Sequence, residues 1–330
     1  MQPEELNNFG KGAIYDKLDD RDYQYEQLFG AVQLPNEYNV FDEVGTPKVE
    51  NQGSSSSCTS QAWSKYMEVL NYFDEKKSVD LSAKFIYSRI FQPAGGASIR
   101  DGAALAVSTG TCKENLDPSY ESGNPPTEAY MRQINASPID IADAVHYEAK
   151  SYATIASKDV EVIKQAIYQN KGVVSGFVGD NAGWVASDGI VRPPANNDWA
   201  HCVFLAGWKK IGGKDYIILL NSWSERWGVG GFGYVHPDYW TNPSWSFNIW
   251  TLIDKPNNNF MYTLQRDPLA KTEVFAVIGT TKRHIGNYYT LSQGKGVEWD
   301  YTDVASIPFA DPTAFAGLTE GAEIIFTPHD

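Results

Sequence analysis

The feature that most constrains the fold is the order of two apolar patterns along the chain, the first helical and the second typical of strands. In the first half, apolar side chains recur at three- and four-residue steps, which is the period of an amphipathic helix. After Gly172 the pattern changes to short runs rich in β-branched and aromatic residues, at 173–178, 203–208, 216–220 and 232–235. Such runs are typical of strands. Helices first and strands second predict an α+β architecture with two unlike halves facing each other, and a cleft between such halves often holds a site.

Polar residues mark where the helices are expected to start. Ser98 is followed three residues later by Asp101, a spacing that resembles a capping box. Gly110 is a suitable residue for the end of that helix. The starts expected from such signals are Cys58, Ser82, Ser98 and a point just after Ser157.

Composition divides the chain into three parts. Residues 1–33 are polar and tyrosine-rich without a sustained period, so we expect a surface arm. Residues 34–255 hold the helices and strands described above. The Pro-Asn-Asn-Asn run at 256–259 is the best linker candidate, and 256–330 is predicted to form a small, mostly β domain. Its expected strands lie at 261–265, 274–278, 288–291 and 324–326.

Charge and apolar runs exclude two classes of partner. The net charge is −14 and the chain has no Lys/Arg run, so a nucleic-acid partner is not expected. No apolar stretch is long enough to span a bilayer. The N-terminus also lacks the basic start and apolar run of a secretory signal, so export would need a signal already removed or another route.

Three cysteines are too few for a disulfide scaffold, and they leave at least one free thiol. Cys58 follows a serine-rich loop at the start of the first helix, where unpaired backbone N–H groups lower a thiol pKa. Gln52, six residues earlier, could donate to an oxyanion together with the N–H of Cys58. A small buried cysteine is the alternative interpretation. Cys112 and Cys202 could pair with each other or remain buried thiols.

A histidine and an asparagine are candidates for the partners of Cys58. His201 precedes one predicted strand and Asn221 follows the next, so both should lie at the same edge of the sheet. Taken alone, His201 would more often be a structural histidine, and Asn221 would more often be a turn residue. Single cysteine nucleophiles have partners about 130–150 positions downstream. His201 falls within that range from Cys58, and Asn221 lies slightly beyond it.

These elements together resemble the papain family of cysteine peptidases over residues 34–253. The resemblance implies a two-lobed fold with a helical lobe and a β-rich lobe. Each matching segment stands in the order that the family shows. They are Leu34-Pro35, the loop Gln52-Gly53-Ser54-Ser55-Ser56-Ser57-Cys58, the helix at 159–167, Ala200-His201-Cys202-Val203, Asn221-Ser222-Trp223-Ser224-Glu225-Arg226-Trp227-Gly228 and Gly231-Phe232.

The family assigns a role to each candidate. Cys58 would attack a peptide carbonyl, and His201 would protonate the leaving amine. Gln52 and the Cys58 N–H would hold the oxyanion. Asn221 would orient His201, and Trp223 would shield that bond from water. A polypeptide substrate is then expected, and neither a metal nor an organic cofactor is needed; the four other histidines are scattered without ligand spacing.

Several positions depart from the family pattern. Ser55 replaces a cysteine that usually forms a disulfide, and Ser56 and Thr59 replace a glycine and a tryptophan beside the nucleophile. The changes at Ser56 and Thr59 could narrow or reshape the cleft. The glycine pair that usually contacts substrate has no clear match; Gly95-Gly96 and Gly102 are both candidates. The usual inhibitory propeptide is far longer than the segment 1–33, so we expect no such zymogen and a packed arm instead.

Two further expectations concern the surroundings of the enzyme. The segment 282–287, KRHIGN, resembles small β modules of bacterial surface proteins, and it could equally be a basic β-turn. We expect 256–330 to dock the enzyme onto a partner. An extracellular, cell-surface or virus-particle location is favoured over the cytoplasm.

Two other functions remain open from the sequence. A structural or binding protein on a papain-like scaffold, in a cell envelope or virus particle, would need no reactive thiol. A peptidoglycan peptidase or amidase would use the same cysteine chemistry, but such enzymes usually lack a motif like that at Asn221.

Overall fold

The computed structural model describes residues 1–17, 19, 22–135, 137–156 and 158–253, together with the backbone of four short strands between 263 and 320. The chain divides into two compact units, and each is described by itself. The first holds 1–25 and 34–254, and the second holds 26–33 and 255–330.

Helices occupy mainly the first half of the chain, as the apolar period predicted. The α-helices in the described residues are α1 Tyr25–Leu28, α2 Phe41–Val44, α3 Cys58–Glu75, α4 Ala83–Ile90, α5 Ile99–Ser108, α6 Glu128–Met131, α7 Pro138–Ala144, α8 Val160–Asn170 and α9 Asn181–Trp184. Short 3-10 helices cover Pro3–Asn8, Val145–Tyr147 and Pro237–Thr241.

Strands dominate the second half. They are β1 Ala13–Ile14, β2 Tyr38–Asn39, β3 Ala97–Ser98, β4 Ser151–Ile155, β5 Val173–Gly179, β6 Ile190–Val191, β7 Trp199–Ile211, β8 Lys214–Leu220, β9 Phe232–Val235, β10 Ser246–Ile253, β11 Thr263–Arg266, β12 Val274–Ile278, β13 Thr281–His284 and β14 Thr319–Glu320.

The expected helix starts are confirmed where capping chemistry decides them. The Ser82 and Ser98 hydroxyls accept the backbone N–H groups of Phe85 and Asp101, so α4 and α5 begin as predicted. The helix α8, expected to start just after Ser157, begins at Val160 and is capped by Asp159. Ser157 itself lies outside the described residues.

The central sheet places the histidine and the asparagine at one edge. Its strand order within the described residues is β4-β10-β5-β7-β8-β9-β6, and β2 also pairs with β7. The long strand β7 pairs antiparallel with β5, which sets His201 opposite Phe177, and with β8 on its other side. Asn221 comes directly after β8, beside the start of β7. Adjacent antiparallel strands therefore bring both residues together.

The helical lobe packs against this sheet through α3. Its buried face carries Trp63, Tyr66 and Met67, which share one apolar core with Phe204 of β7. The rings of Tyr66 and Phe204 lie 5.3 Å apart. Burying aromatic side chains of this size contributes roughly 1.5–3 kcal/mol each, so the contact holds the N-terminus of α3 against the edge of the sheet.

The first residues of the chain do not lie on the surface as expected. After the 3-10 helix Pro3–Asn8, strand β1 pairs in parallel with β3, so that Ala13 is opposite Ala97. Leu6 and Phe9 are buried. The expectation of a surface arm is wrong for this stretch, because its apolar side chains and backbone find partners in the cleft.

Carboxylates fix the later part of the arm. Asp16 accepts the backbone N–H of Arg100 at 3.1 Å and the indole N–H of Trp250 at 2.7 Å. The Arg100 guanidinium, in turn, pairs with Asp19 and Asp22 at 3.0 and 2.6 Å. We call residues 6–16, from Leu6 to Asp16, the cleft arm.

The second unit contains a small sheet in the order β11-β12-β13-β14. The strand expected at 274–278 is confirmed, and the one expected at 261–265 is found as Thr263–Arg266. The linker 256–259 and the strands expected at 288–291 and 324–326 lie outside the described residues. The boundaries 1–33, 34–255 and 256–330 stay a prediction.

Candidate active site

Cys58 is the first residue of α3, as the sequence predicted. Its sulfur is fully buried and is hydrogen-bonded by the backbone N–H groups of Gly12, Thr59 and Cys202. Thr59 belongs to the start of α3 in the helical lobe, and Cys202 belongs to β7 in the β-rich lobe. Gly12 belongs to the cleft arm. The helix start thus supplies the predicted polar surroundings for a sulfur anion.

His201 and Asn221 form the predicted pair. The Nε2 atom of His201 lies 2.8 Å from Oδ1 of Asn221, which also accepts the backbone N–H of Ser222 at 2.8 Å. Asn221 Oδ1 can only accept, so Nε2 carries the hydrogen. Nδ1 of His201 is buried and has no hydrogen-bond partner among the described residues. That nitrogen is left free to exchange a proton.

Tryptophans enclose this pair. The Trp223 ring lies 4.4 Å from the imidazole at an interplanar angle of 30°, and Trp184 and Trp199 meet the imidazole edge-on at 5.6 and 6.4 Å. Trp223 is fully buried. An apolar wall of this kind excludes water from the hydrogen bond between His201 and Asn221, which is the shielding expected of Trp223.

Gln52 is buried with its amide orientation fixed. Its Oε1 accepts the Ser222 hydroxyl at 2.6 Å, so the opposite side of the amide must be the donor. The Nε2 group donates to the carbonyl of Ser55 at 2.8 Å and to the carbonyl of Gly10 at 3.0 Å. The Gly10 carbonyl belongs to the cleft arm. The arm therefore occupies the Gln52 amide group that was predicted to donate to an oxyanion.

The cleft arm covers all of these groups at close range. The Phe9 ring stacks on Trp223 at 5.7 Å, and the Lys11 ammonium lies 5.4 and 5.7 Å from the Trp223 and Trp199 rings. A Cβ atom on Gly10 would stand 1.9 Å from the Ser55 carbonyl oxygen. The arm can lie this deep only because glycine brings no side chain to such positions.

Burial under the arm sets the charges of the pair. It raises the pKa of the Cys58 thiol to about 11, against the opposing effect of the three N–H groups. Burial also lowers the pKa of His201 to about 3; the Asn221 bond opposes this, and the Lys11 charge adds to it. The thiolate expected at neutral pH is therefore not the form favoured in the covered cleft, because desolvation outweighs the helix start.

The departures from the family pattern have local explanations. The Ser55 hydroxyl, where the family has a disulfide cysteine, donates to the Gln52 carbonyl at 2.7 Å and so still supports the oxyanion loop. The Thr59 hydroxyl donates to the Ala97 carbonyl at 3.2 Å, and Ser56 donates its backbone N–H to Glu128 at 2.7 Å. None of these contacts displaces a candidate catalytic atom.

The structure separates the two glycine candidates. Gly96 lies against the arm, since a Cβ there would stand 2.2 Å from the Gly12 carbonyl oxygen, and Ala97 donates its N–H to that oxygen at 2.9 Å. Gly102 instead packs against the Trp63 indole inside the helical lobe. Gly95-Gly96 is therefore the pair that borders the cleft.

Sequence reasoning missed the cleft arm itself. The available signal was Phe9-Gly10-Lys11-Gly12, in which two glycines flank a lysine after an aromatic residue. Among the residues that the structure describes, no group of His, Cys, Asp or Glu could hold a metal ion. None of the helices in the same part of the chain is long and apolar enough to cross a membrane.

Known proteins share this arrangement. A family model described as papain family cysteine protease matches residues 34–242. A cysteine protease of Blomia tropicalis is 26% identical over 234 residues, which cover 70% of this chain and 69% of that protein. Peptidase 1 of Dermatophagoides farinae is 24% identical over 210 residues, covering 62% of this chain and 61% of that protein.

A solved structure agrees in fold. Xylellain, a cysteine protease from Xylella fastidiosa, matches with a TM-score of 0.59 at 23% identity over 75% of this chain and 97% of its own. The predicted α+β papain-like fold and the predicted cysteine-peptidase function are confirmed, and none of the names of these relatives favours the structural alternative. With a family model that matches more than half of its length, this chain belongs to the papain family of cysteine proteases.

Proposed function

We propose that this protein is an endopeptidase in which Cys58 is the nucleophile and His201 its proton partner. The single observation that carries the proposal is the hydrogen bond between His201 and Asn221, which leaves Nδ1 as the free nitrogen of the imidazole. Nδ1 takes the thiol proton, the sulfur attacks the peptide carbonyl, and the imidazolium returns the proton to the leaving amine. Water then hydrolyses the thioester.

Gln52 is the proposed oxyanion donor. Its Nε2 already holds a carbonyl oxygen, that of Gly10, at 3.0 Å. A substrate carbonyl in that place would gain charge as the sulfur bonds to its carbon, and a fixed donor stabilises that charge without reorganising. The backbone N–H of Cys58 is the second proposed donor.

The sequence predicts no zymogen of the family's usual kind and a packed arm at 1–33; we propose that this arm is itself inhibitory. The cleft arm occupies the Gln52 donor with the Gly10 carbonyl and the Cys58 sulfur with the Gly12 N–H. A polypeptide substrate needs both groups, so the full-length chain is a latent peptidase while the arm is in place.

Hydrolysis of a fluorogenic peptide tests the proposed function. The full-length chain, the chain with Gly12→Val and the double variant with Cys58→Ala are compared under reducing conditions. We expect the Gly12→Val protein to be active and the double variant to be inactive. Activity that survives Cys58→Ala would assign the chemistry to another group.

The segment 256–330 is proposed to dock the enzyme onto a partner outside the cytoplasm, on a cell surface or a virus particle. The support is the β-rich pattern of 256–330 and the KRHIGN segment at 282–287. Deleting 256–330 should spare hydrolysis of a small peptide while weakening attachment. A folded truncation without peptidase activity would count against this proposal.

A further inference from the structure

Cys202 is a buried thiol that the proposed mechanism does not use. It is fully buried next to His201 on β7, and alternate side chains of a strand point to opposite faces. Cys202 packs in the same apolar core as α3, whose first residue is Cys58. The backbone N–H of Cys202 donates to the Cys58 sulfur.

The two sulfurs share one polar neighbour. The Thr59 hydroxyl, whose hydrogen is donated to the Ala97 carbonyl, lies beside both the Cys58 sulfur and the Cys202 sulfur. One small group that contacts both atoms places the thiols side by side at the N-terminus of α3. Both residues also belong to the same apolar cluster.

Cys112 provides the contrast. It is also buried and unpaired, but it packs in a separate small cluster with Phe85 and Ala144. The question that the sequence left open, whether Cys112 pairs with Cys202, is answered for this structure: all three cysteines are free thiols. The neighbour of Cys202 is the candidate nucleophile.

We propose that Cys202 is a resolving thiol that converts oxidised Cys58 into a reversible Cys58–Cys202 disulfide. The oxidant is hydrogen peroxide. The Cys58 thiolate attacks one peroxide oxygen, the O–O bond breaks, and Cys58 becomes a sulfenic acid while the other oxygen leaves as hydroxide. That hydroxide takes the proton that His201 received from the Cys58 thiol and becomes water. The Cys202 sulfur then attacks the Cys58 sulfur, the S–S bond forms, the S–O bond breaks, and the hydroxide leaves as water with the Cys202 proton.

The balance is two thiols oxidised and one peroxide reduced to two waters. A dithiol reductant reverses it. Without a neighbouring thiol, a sulfenic acid proceeds to the sulfinic acid, which reductants do not reverse. Cys202 thus protects a nucleophile that loses its cover when the cleft arm leaves. The inference rests on the proposed role of Cys58.

The experiment compares four full-length proteins: wild type, Gly12→Val, and Gly12→Val combined with either Cys202→Ala or the matched control Cys112→Ala. Each is treated with a few equivalents of hydrogen peroxide and mapped without reduction. A second sample is reduced with dithiothreitol before alkylation. The Gly12→Val substitution raises the fraction of molecules in which the arm is away from the cleft, so that the reagent can reach Cys58.

In Gly12→Val, with or without Cys112→Ala, we expect a Cys58–Cys202 linked peptide, with nearly all Cys58 alkylated after reduction. In the Cys202→Ala protein, recoverable Cys58 should fall at least about fivefold, replaced by a form with two added oxygens. A Cys58 that stays a thiol in every protein, or that recovers equally without Cys202, would overturn the proposal. Peptide hydrolysis before peroxide treatment tests the peptidase separately, since the linked peptide is detected without any turnover.

Discussion

The side-chain amide of Gln52 donates to the backbone carbonyl of Gly10 at 3.0 Å. The group proposed to stabilise a substrate oxyanion is therefore held by the chain's own arm. Arm and substrate compete for one donor, so inhibition by the arm should be competitive. Every change that weakens the arm without touching Cys58, His201 or Gln52 should raise activity.

Gly12→Val should activate the enzyme. A Cβ at Gly12 would stand 2.3 Å from the Ser56 carbonyl oxygen, and backbone atoms cannot move aside as a flexible side chain would. If refitting the arm costs about 1.4 kcal/mol or more, the uncovered fraction rises at least tenfold. The readout is kcat/KM for a fluorogenic peptide. Asn8→Ala, an exposed substitution beside Phe9, is the control and should change little. Equal activity in all three proteins would mean that the arm does not limit access.

Gln52→Glu should lower activity in the Gly12→Val background. A carboxylate cannot donate to an oxyanion, and losing one such donor costs about 100–1,000-fold in kcat. Ser222→Ala, which removes only the 2.6 Å bond that fixes Gln52 Oε1, should cause a smaller loss. A Gln52→Glu enzyme with unchanged kcat would assign the oxyanion to other donors.

Alkylation of Cys58 should depend on the arm and on His201. In the full-length chain, burial raises the pKa of Cys58 to about 11, so labelling by iodoacetamide should be slow at neutral pH. In Gly12→Val, labelling should already be fast near about pH 5–6, because an imidazolium partner stabilises the thiolate. Adding His201→Ala should shift the profile toward about pH 8–9. An unchanged profile would mean that no thiolate–imidazolium pair forms.

Acid should loosen the cleft arm. The test uses Cys58→Ala, because a thiolate–imidazolium pair in the uncovered site would bind no more protons than the neutral covered pair. In Cys58→Ala, burial still lowers the pKa of His201 to about 3 under the arm, while an uncovered imidazole without a thiolate partner titrates near its ordinary value of about 6.5. Protons therefore bind the uncovered state more tightly, and the covered state loses up to about tenfold in population per pH unit as pH falls below about 6.5. Hydrogen–deuterium exchange of residues 9–14 in the Cys58→Ala protein, corrected for intrinsic rates, should increase from pH 7 to 5.

Two arm groups have to be considered in that experiment. Burial lowers the pKa of Lys11 to about 8, so it is charged throughout this range and adds no slope. Burial raises the pKa of Asp16, and its protonation therefore favours the covered state. Adding His201→Gln to Cys58→Ala should abolish the acid-induced increase and leave only the opposite contribution of Asp16. An increase that persists in this variant would exclude His201 as its cause.

The elements of the fold were predictable where local chemistry decides them. The helix starts at Ser82 and Ser98 are predicted correctly because these hydroxyls cap the helices. Capping is a contact between residues that are near neighbours in sequence. His201 and Asn221 are predictable as a pair because adjacent strands carry them to one edge. The cleft arm was not predictable in this way, because Ala13 pairs with Ala97, and a pairing between such distant parts of the chain leaves no periodic trace. Its effect on the charges of Cys58 and His201 follows only from burial, which no motif encodes.

The tryptophans around His201 also make the site its own optical reporter. The Lys11 ammonium lies 5.7 Å from the centre of the Trp199 ring and 5.4 Å from that of Trp223, and Phe9 covers Trp223. When the arm leaves, these indoles lose a nearby positive charge and gain water, and both changes alter the emission of indole. Departure of the arm can therefore be followed in real time by intrinsic fluorescence, with Trp199→Phe and Trp223→Phe identifying the emitting ring. No label is needed, so the opening rate and the onset of peptide hydrolysis can be recorded on the same unmodified molecule.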